Sequence, residues 1–255
     1  MKGVILCGGK GTRMLPCTKV TNKQLLPLYD EQGAVPMIYY PINTLVSGGI
    51  EDILIISSRE HCGSIIETLG DGTEFGADFT YKIQDINNVQ LGIASALKLA
   101  EGFTGRDNFA VILGDNFFED DFKTQFMAFN KKKAEKEKDA AIFVKPVDDP
   151  HRFGVLDTVG NRMKIIEKPS SPPSPLAVTG LYLYTDIVYD VARTLIPSKR
   201  GELEITDVNN WFAEDDTLTA NTVKGYWSDM GVPESLARTQ EFVRRSGFKI
   251  TKFQP

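Results

Sequence analysis

The hydrophobic positions in the first half of the chain follow two alternating patterns. Short apolar runs rich in bulky and β-branched residues predict four strands: Val4–Cys7, Ile53–Ser57, Phe79–Gln84 and Phe109–Leu113. Helix-compatible spacing of apolar residues predicts three helices between them: Ile38–Val46, Ser64–Leu69 and Ile93–Ala100. Such alternation is typical of a mostly parallel sheet with helices on both faces, in which ligands bind beyond the carboxyl ends of the strands.

The second half begins with an amphipathic helix, predicted at Phe122–Glu137, and the charge run Lys131–Lys138 reads as its solvated end. Four further strands are predicted: Ala140–Val147, Gly154–Asp157, Lys164–Glu167 and Val178–Tyr184. Three helices are predicted to follow: Asp186–Leu195, Glu204–Ala213 and Pro233–Arg245, the last with proline at its start. We therefore predict an α/β fold, a Rossmann-like, mostly parallel (mixed) central sheet flanked by helices, forming one domain over residues 1–255.

Composition narrows the classes of partner. The formal net charge of −5 argues against general binding to nucleic acid or to an anionic membrane. The three cysteines show no CxxC spacing, so a disulfide framework or a zinc site is not expected. The apolar run at the N-terminus is too short for a signal-peptide core, and no other run approaches membrane-spanning length. These features predict a cytoplasmic protein.

The first predicted strand leads into the glycine-rich stretch Gly8-Gly9-Lys10-Gly11-Thr12-Arg13. Backbone N–H groups in such a turn can approach an anion closely. Met14 stands where a dinucleotide-binding fingerprint has its third glycine, and no Gly-Lys-Ser/Thr follows at the spacing of a Walker A loop. A plain turn at the end of a strand is the alternative.

Cations strengthen the interpretation of this stretch as a phosphate loop. Lys10, Arg13, Lys19 and Lys23 lie within fourteen residues of one another. The guanidinium of Arg13 suits fork-like contact with a phosphate, whereas Lys23 offers a compact point charge. The combination indicates a bound polyphosphate.

Specific sequence blocks then follow one another along nearly the whole chain. The first are Gly8-Gly9-Lys10-Gly11-Thr12-Arg13-Met14-x-Pro16-x-Thr18, Lys23-Gln24-Leu25-Leu26-Pro27 and Pro36-Met37-Ile38-Tyr39-Tyr40-Pro41. The central ones are Leu113-Gly114-Asp115-Asn116, Arg152-Phe153-Gly154-Val155, Glu167-Lys168-Pro169 and Val178-Thr179-Gly180-Leu181-Tyr182. The last are Arg200-Gly201-Glu202-Leu203-Glu204-Ile205-Thr206-Asp207 and Trp227-Ser228-Asp229-Met230-Gly231. This order resembles the glucose-1-phosphate thymidylyltransferase family.

The resemblance implies a reaction and an architecture. Members of the family join a sugar-1-phosphate to dTTP, or in some relatives to UTP, and release pyrophosphate. The fold implied is of the nucleotidyltransferase type, with a small sugar-binding β subregion. On this basis residues 1–120 are expected to form a nucleotide-binding half and residues 121–255 a sugar-phosphate-binding half.

Two carboxylates are implied as the ligands of a magnesium ion. Asp115 closes a central apolar run, and Asp229 lies far away in sequence. Two hard carboxylates, with phosphate oxygens and water in the remaining positions, suit Mg²⁺. The alternative for Asp115 is that it caps a following helix or turn.

The resemblance also implies two sets of binding residues. The nucleotide set is Gly8, Gly9, Gly11, Thr12, Arg13, Gln24, Gln84, Gly92 and Asp115. The sugar set is Gly154, Glu167, Lys168, Val178, Gly180, Tyr182 and Arg200. The catalytic cations are expected to be Arg13 at the pyrophosphate, Lys23 near the reacting centre and Lys168 at the sugar phosphate. Positioning and electrostatic stabilisation are the main needs of such a transfer.

Four residues of the sugar set have purely structural alternatives. Glu167 and Lys168 could form an exposed ion pair at the end of a strand. Tyr182 could be a core tyrosine. The block that contains Arg200 could simply start a helix, with Glu202 and Thr206 near its first turn.

The sequence departs from the family pattern at several points. The loop from Gln84 to Gly92 is longer than usual, with Leu91 in an unusual place, and Asp30–Val35 is an apparent insertion. Met230 replaces a common threonine. No catalytic charge is lost, but the choices of base and sugar stay open.

The sequence leaves alternative functions open and raises expectations about feedback control and assembly. The alternatives are a transferase that uses UTP or another sugar, and a non-catalytic nucleotide-sugar-binding homologue. The chain ends soon after the helix that follows Asp229, so a short form with weakened or missing feedback control is expected. Homo-oligomers are the commoner state in the family.

Overall fold

A computed structural model describes residues 1–9, 11–30, 33–85, 92–131, 138–160, 162–250 and 253. The fold is α/β, with a mixed central sheet and, among these residues, seven α-helices. This confirms the predicted fold class.

The elements are numbered in chain order. The strands are β1 (Lys2–Cys7), β2 (Pro27–Asp30), β3 (Gly33–Pro36), β4 (Asp52–Ser58), β5 (Asp78–Gln84), β6 (Phe109–Leu113), β7 (Asn116–Phe118), β8 (Ala140–Pro146), β9 (Gly154–Val159), β10 (Arg162–Glu167), β11 (Leu176–Tyr184), β12 (Leu218–Thr222) and β13 (Trp227–Asp229). The helices are α1 (Tyr39–Ser47), α2 (Cys62–Leu69), α3 (Ile93–Thr104), α4 (Lys123–Lys131), α5 (Ile187–Thr194), α6 (Ile205–Glu214) and α7 (Pro233–Ser246).

Every predicted strand and helix is present, with ends that differ by a few residues. The predicted extension of α4 to Glu137, and most of the charge run after it, lie outside the described residues. Five strands escaped prediction: β2, β3, β7, β12 and β13. They are three to five residues long, which is too short for a periodic pattern to identify.

The chain divides into two compact units built from interleaved segments. The first contains the described residues of 86–111 and 126–224 together with residue 1, and the second those of 2–85, 112–125 and 225–255. Two of the boundaries between the units fall within strand β6 and within helix α4. The expected division into a nucleotide-binding half, residues 1–120, and a sugar-phosphate-binding half, residues 121–255, is a division by function. It stays a prediction.

In the second unit, β1, β4 and β5 pair in parallel. Cys7 is the register partner of Ser57, and Ser58 is the partner of Gln84. The carboxyl ends of the three strands therefore reach one edge of the sheet. Helix α1 packs against β1 and β7, and helix α2 packs against β4.

The apparent insertion at Asp30–Val35 belongs to a hairpin in which β2 and β3 pair antiparallel. The side chain of Gln240 on α7 bonds the backbone of Tyr29 in both directions. The Tyr29 N–H donates to Oε1 at 2.6 Å, and Nε2 donates to the Tyr29 carbonyl at 2.5 Å. Strand β2 is thus docked on the last helix.

The short strands β7 and β13 pair antiparallel, with Asn116 opposite Asp229. Phe117, on β7, is fully buried and packs edge-to-face against Phe248 at 4.8 Å and Phe242 at 5.7 Å between ring centroids. This aromatic packing fixes β7 in the core of the second unit.

In the first unit, β9 pairs antiparallel with β10 and β11, and β8 pairs with β11 and β12. Helix α6 packs against β10, β8 and β12. The register between β11 and β8 shifts between Val178 and Tyr182. Such bulges re-aim side chains and are common next to active sites.

Across the described part of the chain, no helix has both the length and the apolar character that a membrane crossing requires.

Candidate active site

The glycine-rich loop leaves β1 directly, with Gly8 and Gly9 after Cys7. Gly11 has a left-handed backbone (φ +57°) and precedes the 3-10 turn Thr12–Met14. A Cβ at Gly11 would lie 2.9 Å from Cγ2 of Thr18, whose hydroxyl donates to the Gly11 carbonyl at 2.7 Å. The loop therefore folds back on itself and leaves Thr12 and Arg13 exposed. Lys10 lies outside the described residues.

Arg13 and Asp229, more than two hundred residues apart in sequence, meet at Gly231. A Cβ built on Gly231 would lie 3.2 Å from a guanidinium nitrogen of Arg13 and 3.3 Å from Oδ2 of Asp229. The two side chains therefore face the same small space, which glycine leaves open.

Asp115 sits in the turn between β6 and β7. The ammonium group of Lys23 donates to its Oδ2, and the Asn116 amide donates to its Oδ1 at 3.2 Å. The side chains of Lys23 and Asp115 are only 13% and 14% exposed. Burial by itself would raise the pKa of Asp115, but the charge and hydrogen bond of Lys23, with the Asn116 bond, hold that pKa below its ordinary value. Asp115 is therefore an anion paired with a cation.

Asp229 is held beside Asp115 by backbone pairing. It ends β13 opposite Asn116, and the N–H of the next residue, Met230, donates to the Asp115 carbonyl at 2.7 Å. Asp115 lies in a turn that leads into a strand, so only the helix part of the capping alternative is excluded. We call Arg13, Lys23, Asp115 and Asp229 the charged cluster.

The donor set of this cluster suits a magnesium ion. Within the described residues no group of three or more His, Cys, Asp or Glu side chains forms a metal cage. Two neighbouring carboxylates fit Mg²⁺ nevertheless, because this ion commonly takes one or two carboxylates and completes its shell with water and phosphate oxygens.

Two glutamines of the predicted nucleotide set lie near the loop, and Gln24 does so because it follows Lys23, whose Cβ lies 3.4 Å from the Cβ position of Gly11. Oε1 of Gln84 lies 3.0 Å from the Cβ position of Gly8, and the residue is 8% exposed. Gln24 is 2% exposed, and its Oε1 has no hydrogen-bond partner among the described residues. The unusual loop that follows Asp85 lies outside them through Leu91.

Gly92, the remaining predicted nucleotide residue, belongs to the first unit. It has φ +114° at the start of α3, and a Cβ there would lie 2.3 Å from the Leu203 carbonyl oxygen. The structure thus brings Gly92 to the sequence block that contains Arg200.

A second group of polar residues surrounds Glu167 in the first unit. The Thr206 hydroxyl donates to Oε2 at 2.6 Å. Lys168 and Arg200 lie 3.2 Å and 3.4 Å from Oε1. The strand-end ion pair considered as an alternative is therefore present, but it is one of three contacts to the carboxylate. We call Glu167, Lys168, Arg200 and Thr206 the glutamate cluster.

Lys168 has an uncommon backbone conformation. Its φ is +43°, and its N–H donates to the Phe153 carbonyl at 3.0 Å. A non-glycine residue with positive φ stores strain, and such strain is concentrated at functional sites. The side chain is 48% exposed and so can meet a ligand.

Gly154 is the register partner of Glu167, and a Cβ there would lie 3.3 Å from the Thr206 hydroxyl oxygen and 3.4 Å from Glu167 Oε2. Val178 and Gly180 belong to the bulged part of β11. Tyr182 is 4% exposed and stacks on Tyr184 at 6.1 Å, as the core-tyrosine alternative requires.

Sequence reasoning gave no role to Thr206, Asn116 or Trp227. All three lie within recognised blocks, and Asn116 directly follows Asp115. None of these positions reveals a hydrogen-bond partner before the fold brings that partner close.

Comparisons with known proteins agree with this geometry. The family model described as nucleotidyl transferase matches residues 2–246. A glucose-1-phosphate thymidylyltransferase of Neisseria meningitidis is 42% identical over 96% of this chain and 83% of its own length. One from Xanthomonas campestris is 40% identical over 98% of this chain and 84% of its own length.

Solved structures give the same result. A protein from Bacillus anthracis, described as a candidate glucose-1-phosphate thymidylyltransferase in complex with a sucrose, is 45% identical. It has a TM-score of 0.88 and matches 98% of this chain and 97% of that one. A UDP-glucose pyrophosphorylase with UDP-glucose shares the fold, at a TM-score of 0.80 and 24% identity over 96% of this chain and 98% of that one. The chain therefore belongs to the nucleotidyl transferase family and is a nucleotidyltransferase enzyme that resembles the glucose-1-phosphate thymidylyltransferases over nearly its whole length.

Proposed function

We propose that the protein transfers a thymidylyl group from dTTP to glucose-1-phosphate and releases pyrophosphate, giving dTDP-glucose. The observation that carries this proposal is the charged cluster, in which two cations of the N-terminal segment meet two carboxylates from two distant parts of the sequence. The names of the relatives support the choice of dTTP and glucose-1-phosphate.

The glycine-rich loop and Arg13 bind the phosphates of the nucleotide in this proposal. The backbone of Gly8, Gly9, Gly11 and Thr12 surrounds the phosphates, as glycine-rich turns do for anions. Arg13 is exposed and binds the β- and γ-phosphates, which leave as pyrophosphate.

Base recognition falls to Gln84, with Gln24 beside the loop. An amide can donate to and accept from the edge of thymine or uracil at the same time. The position of Gln84 against Gly8 supports this role, because it puts the amide next to the loop that binds the phosphates.

Magnesium would be held by Asp115 and Asp229. When bound, it would neutralise phosphate charge and polarise the phosphate that is attacked. Lys23 donates to the Asp115 carboxylate, and this contact supports the proposal that its ammonium group binds the phosphates at the reacting centre.

The glutamate cluster binds the sugar phosphate in this proposal. Glu167 accepts hydrogen bonds from sugar hydroxyls, and Thr206 and Arg200 orient its carboxylate. Lys168 binds the phosphate through its exposed ammonium group. Backbone groups of Gly154 and Val178 border the sugar.

The chemistry needs no general base. A phosphate monoester has a second pKa of about 6, so the sugar phosphate is already ionised near neutral pH. One of its oxygens forms a bond to the α-phosphorus as the bond to the bridging oxygen of pyrophosphate breaks. The residues contribute by aligning two polyanions and by stabilising charge on the leaving group.

A substrate panel tests the proposal. Pyrophosphate release is measured for dTTP, UTP, CTP and GTP, each with several hexose-1-phosphates, with Mg²⁺ and with EDTA. We expect dTTP with glucose-1-phosphate to give the highest kcat/KM, and EDTA to abolish turnover. A preference for UTP or another sugar would overturn the proposed specificity.

Carboxylate variants separate an enzyme from a binding homologue. Asp115→Asn should reduce turnover below detection, because it removes a charged ligand of the metal. Asp190→Asn is the matched control, since that carboxylate is exposed on α5 and pairs only with Arg193 among the contacts described. Equal activity in both variants, or none in the native protein with any pair of substrates, would refute the proposed role.

A further inference from the structure

We propose that Asn116, held by Trp227, is a positioning residue that orients the Asp115 carboxylate for cation binding. This inference rests on the proposed function, because it takes Asp115 as a ligand of the magnesium ion. Asn116 and Trp227 touch neither the nucleotide nor the sugar in the proposal.

The three side chains form a chain of hydrogen bonds. The indole N–H of Trp227 donates to Oδ1 of Asn116 at 2.8 Å, and Nδ2 of Asn116 donates to Oδ1 of Asp115 at 3.2 Å. Asn116 is 1% exposed and Trp227 is 8% exposed. Water therefore has little access to either hydrogen bond, and each bond is stronger than it would be at the surface.

The indole decides which way the amide of Asn116 points. An indole N–H can only donate, so it needs the carbonyl end of the amide. The NH₂ end is then directed at Asp115. With the amide reversed, a carbonyl oxygen would face the carboxylate and the indole N–H would face an NH₂ group, and both contacts would be repulsive.

The consequence for Asp115 is a carboxylate whose two oxygens have separate partners. Asn116 binds Oδ1, while Oδ2 faces the cation, which is Lys23 in this structure. The backbone of Asn116 is also the register partner of Asp229. One residue thus sets the orientation of the first carboxylate and the placement of the second.

Residues that orient metal ligands contribute to metal affinity, and their loss commonly costs about 10- to 100-fold. We expect Asn116→Leu, which keeps similar size but removes both hydrogen bonds, to weaken Mn²⁺ binding by about 10- to 100-fold. Trp227→Phe keeps the Asn116 amide but lets it rotate, so this variant should also weaken Mn²⁺ binding, by a smaller factor.

The test measures metal binding without turnover. Mn²⁺ is titrated into protein with the nucleotide selected by the substrate panel and no sugar phosphate, and water-proton relaxation reports the ion bound to protein. Phe118→Leu is the matched control, because Phe118 is 2% exposed and pairs with Trp227 in the same ladder but has no polar group. Thermal unfolding of each variant reports the structural cost separately.

Weakened Mn²⁺ binding in Asn116→Leu and Trp227→Phe, with native affinity in Phe118→Leu, supports the inference. Native affinity in both Asn116→Leu and Trp227→Phe overturns it, as does equal weakening of Mn²⁺ binding in all three variants. If Asn116→Leu does not fold, Trp227→Phe alone decides between these outcomes. Asp115→Asn identifies the other failure: if it binds Mn²⁺ with native affinity, the proposed metal ligand is wrong and the inference falls with it.

Discussion

Replacing Lys23 by methionine removes the cation that lies against Asp115. The side chains of Lys23 and Asp115 are only 13% and 14% exposed, so the variant would leave the Asp115 carboxylate largely out of water. Removing one partner of a buried ion pair costs about 3 to 5 kcal/mol, because the other charge is left uncompensated. Asn116 still donates to Asp115 in this variant, so we expect a loss of about 3 kcal/mol in the free energy of unfolding at neutral pH.

The pH dependence follows from the pKa of Asp115. In the native protein this pKa is held below the ordinary value of 3.8, so the ionised carboxylate stabilises the fold above that value. The contribution is lost as the pH falls through the lowered folded pKa. Without Lys23, burial dominates and raises the pKa. The deficit of the Lys23→Met variant is therefore largest at neutral pH and shrinks as acid protonates Asp115 in the folded state.

Urea unfolding from pH 4 to pH 8 in the presence of EDTA measures this effect without interference from metal. Lys23→Met, Asp115→Asn and the double variant are compared with the native protein. We expect the double variant to be more stable than Lys23→Met at pH 7, since it no longer buries a lone charge. A double variant no more stable than Lys23→Met, or a deficit that does not change with pH, would refute the reasoning.

Three further predictions concern single contacts. Thr206→Val removes the donor to Glu167 and should raise the KM for glucose-1-phosphate about tenfold, or about 1.4 kcal/mol, with the KM for dTTP unchanged in a pyrophosphate-release assay. Gln84→Glu replaces an amide that both donates and accepts, so it should raise the KM for dTTP and leave that for the sugar phosphate unchanged. Gly92→Ala should destabilise by more than about 3 kcal/mol, because its Cβ would lie 2.3 Å from a backbone oxygen at φ +114°. Gly247→Ala should cost only about 1 kcal/mol in the same urea unfolding experiment, because Gly247 has φ +66° and its Cβ position is more than 4 Å from every described residue other than its chain neighbours.

The longer elements were predictable because their patterns are local. Strand β6 was predicted with its observed ends, since the run Phe109–Leu113 is apolar throughout and four of its five residues are buried. Helix α7 was predicted from proline at its start, and Gly247 ends it in a left-handed conformation. Such signals act within a few residues, so they can be read without knowledge of the fold.

The short strands were not predictable, and they matter most to the candidate site. Strand β13 has three residues, too few for any period to appear. It is a strand because β7 lies beside it and supplies its backbone partners. The same pairing brings Asp229 to Asp115, a neighbourhood that no spacing in the sequence indicates.

The sequence by itself determined the alternation of strands and helices, the loop after β1 and, through its ordered blocks, the family of the chain. These depend on local preferences and on the identity of residues, which the sequence carries directly. Tertiary structure alone decided that Lys23 pairs with Asp115 and that Arg13 and Asp229 share the space at Gly231. It also decided that Thr206 donates to Glu167 and Trp227 to Asn116. Hydrogen bonds and ion pairs reach only a few ångströms, so they exist only once folding has brought distant segments together.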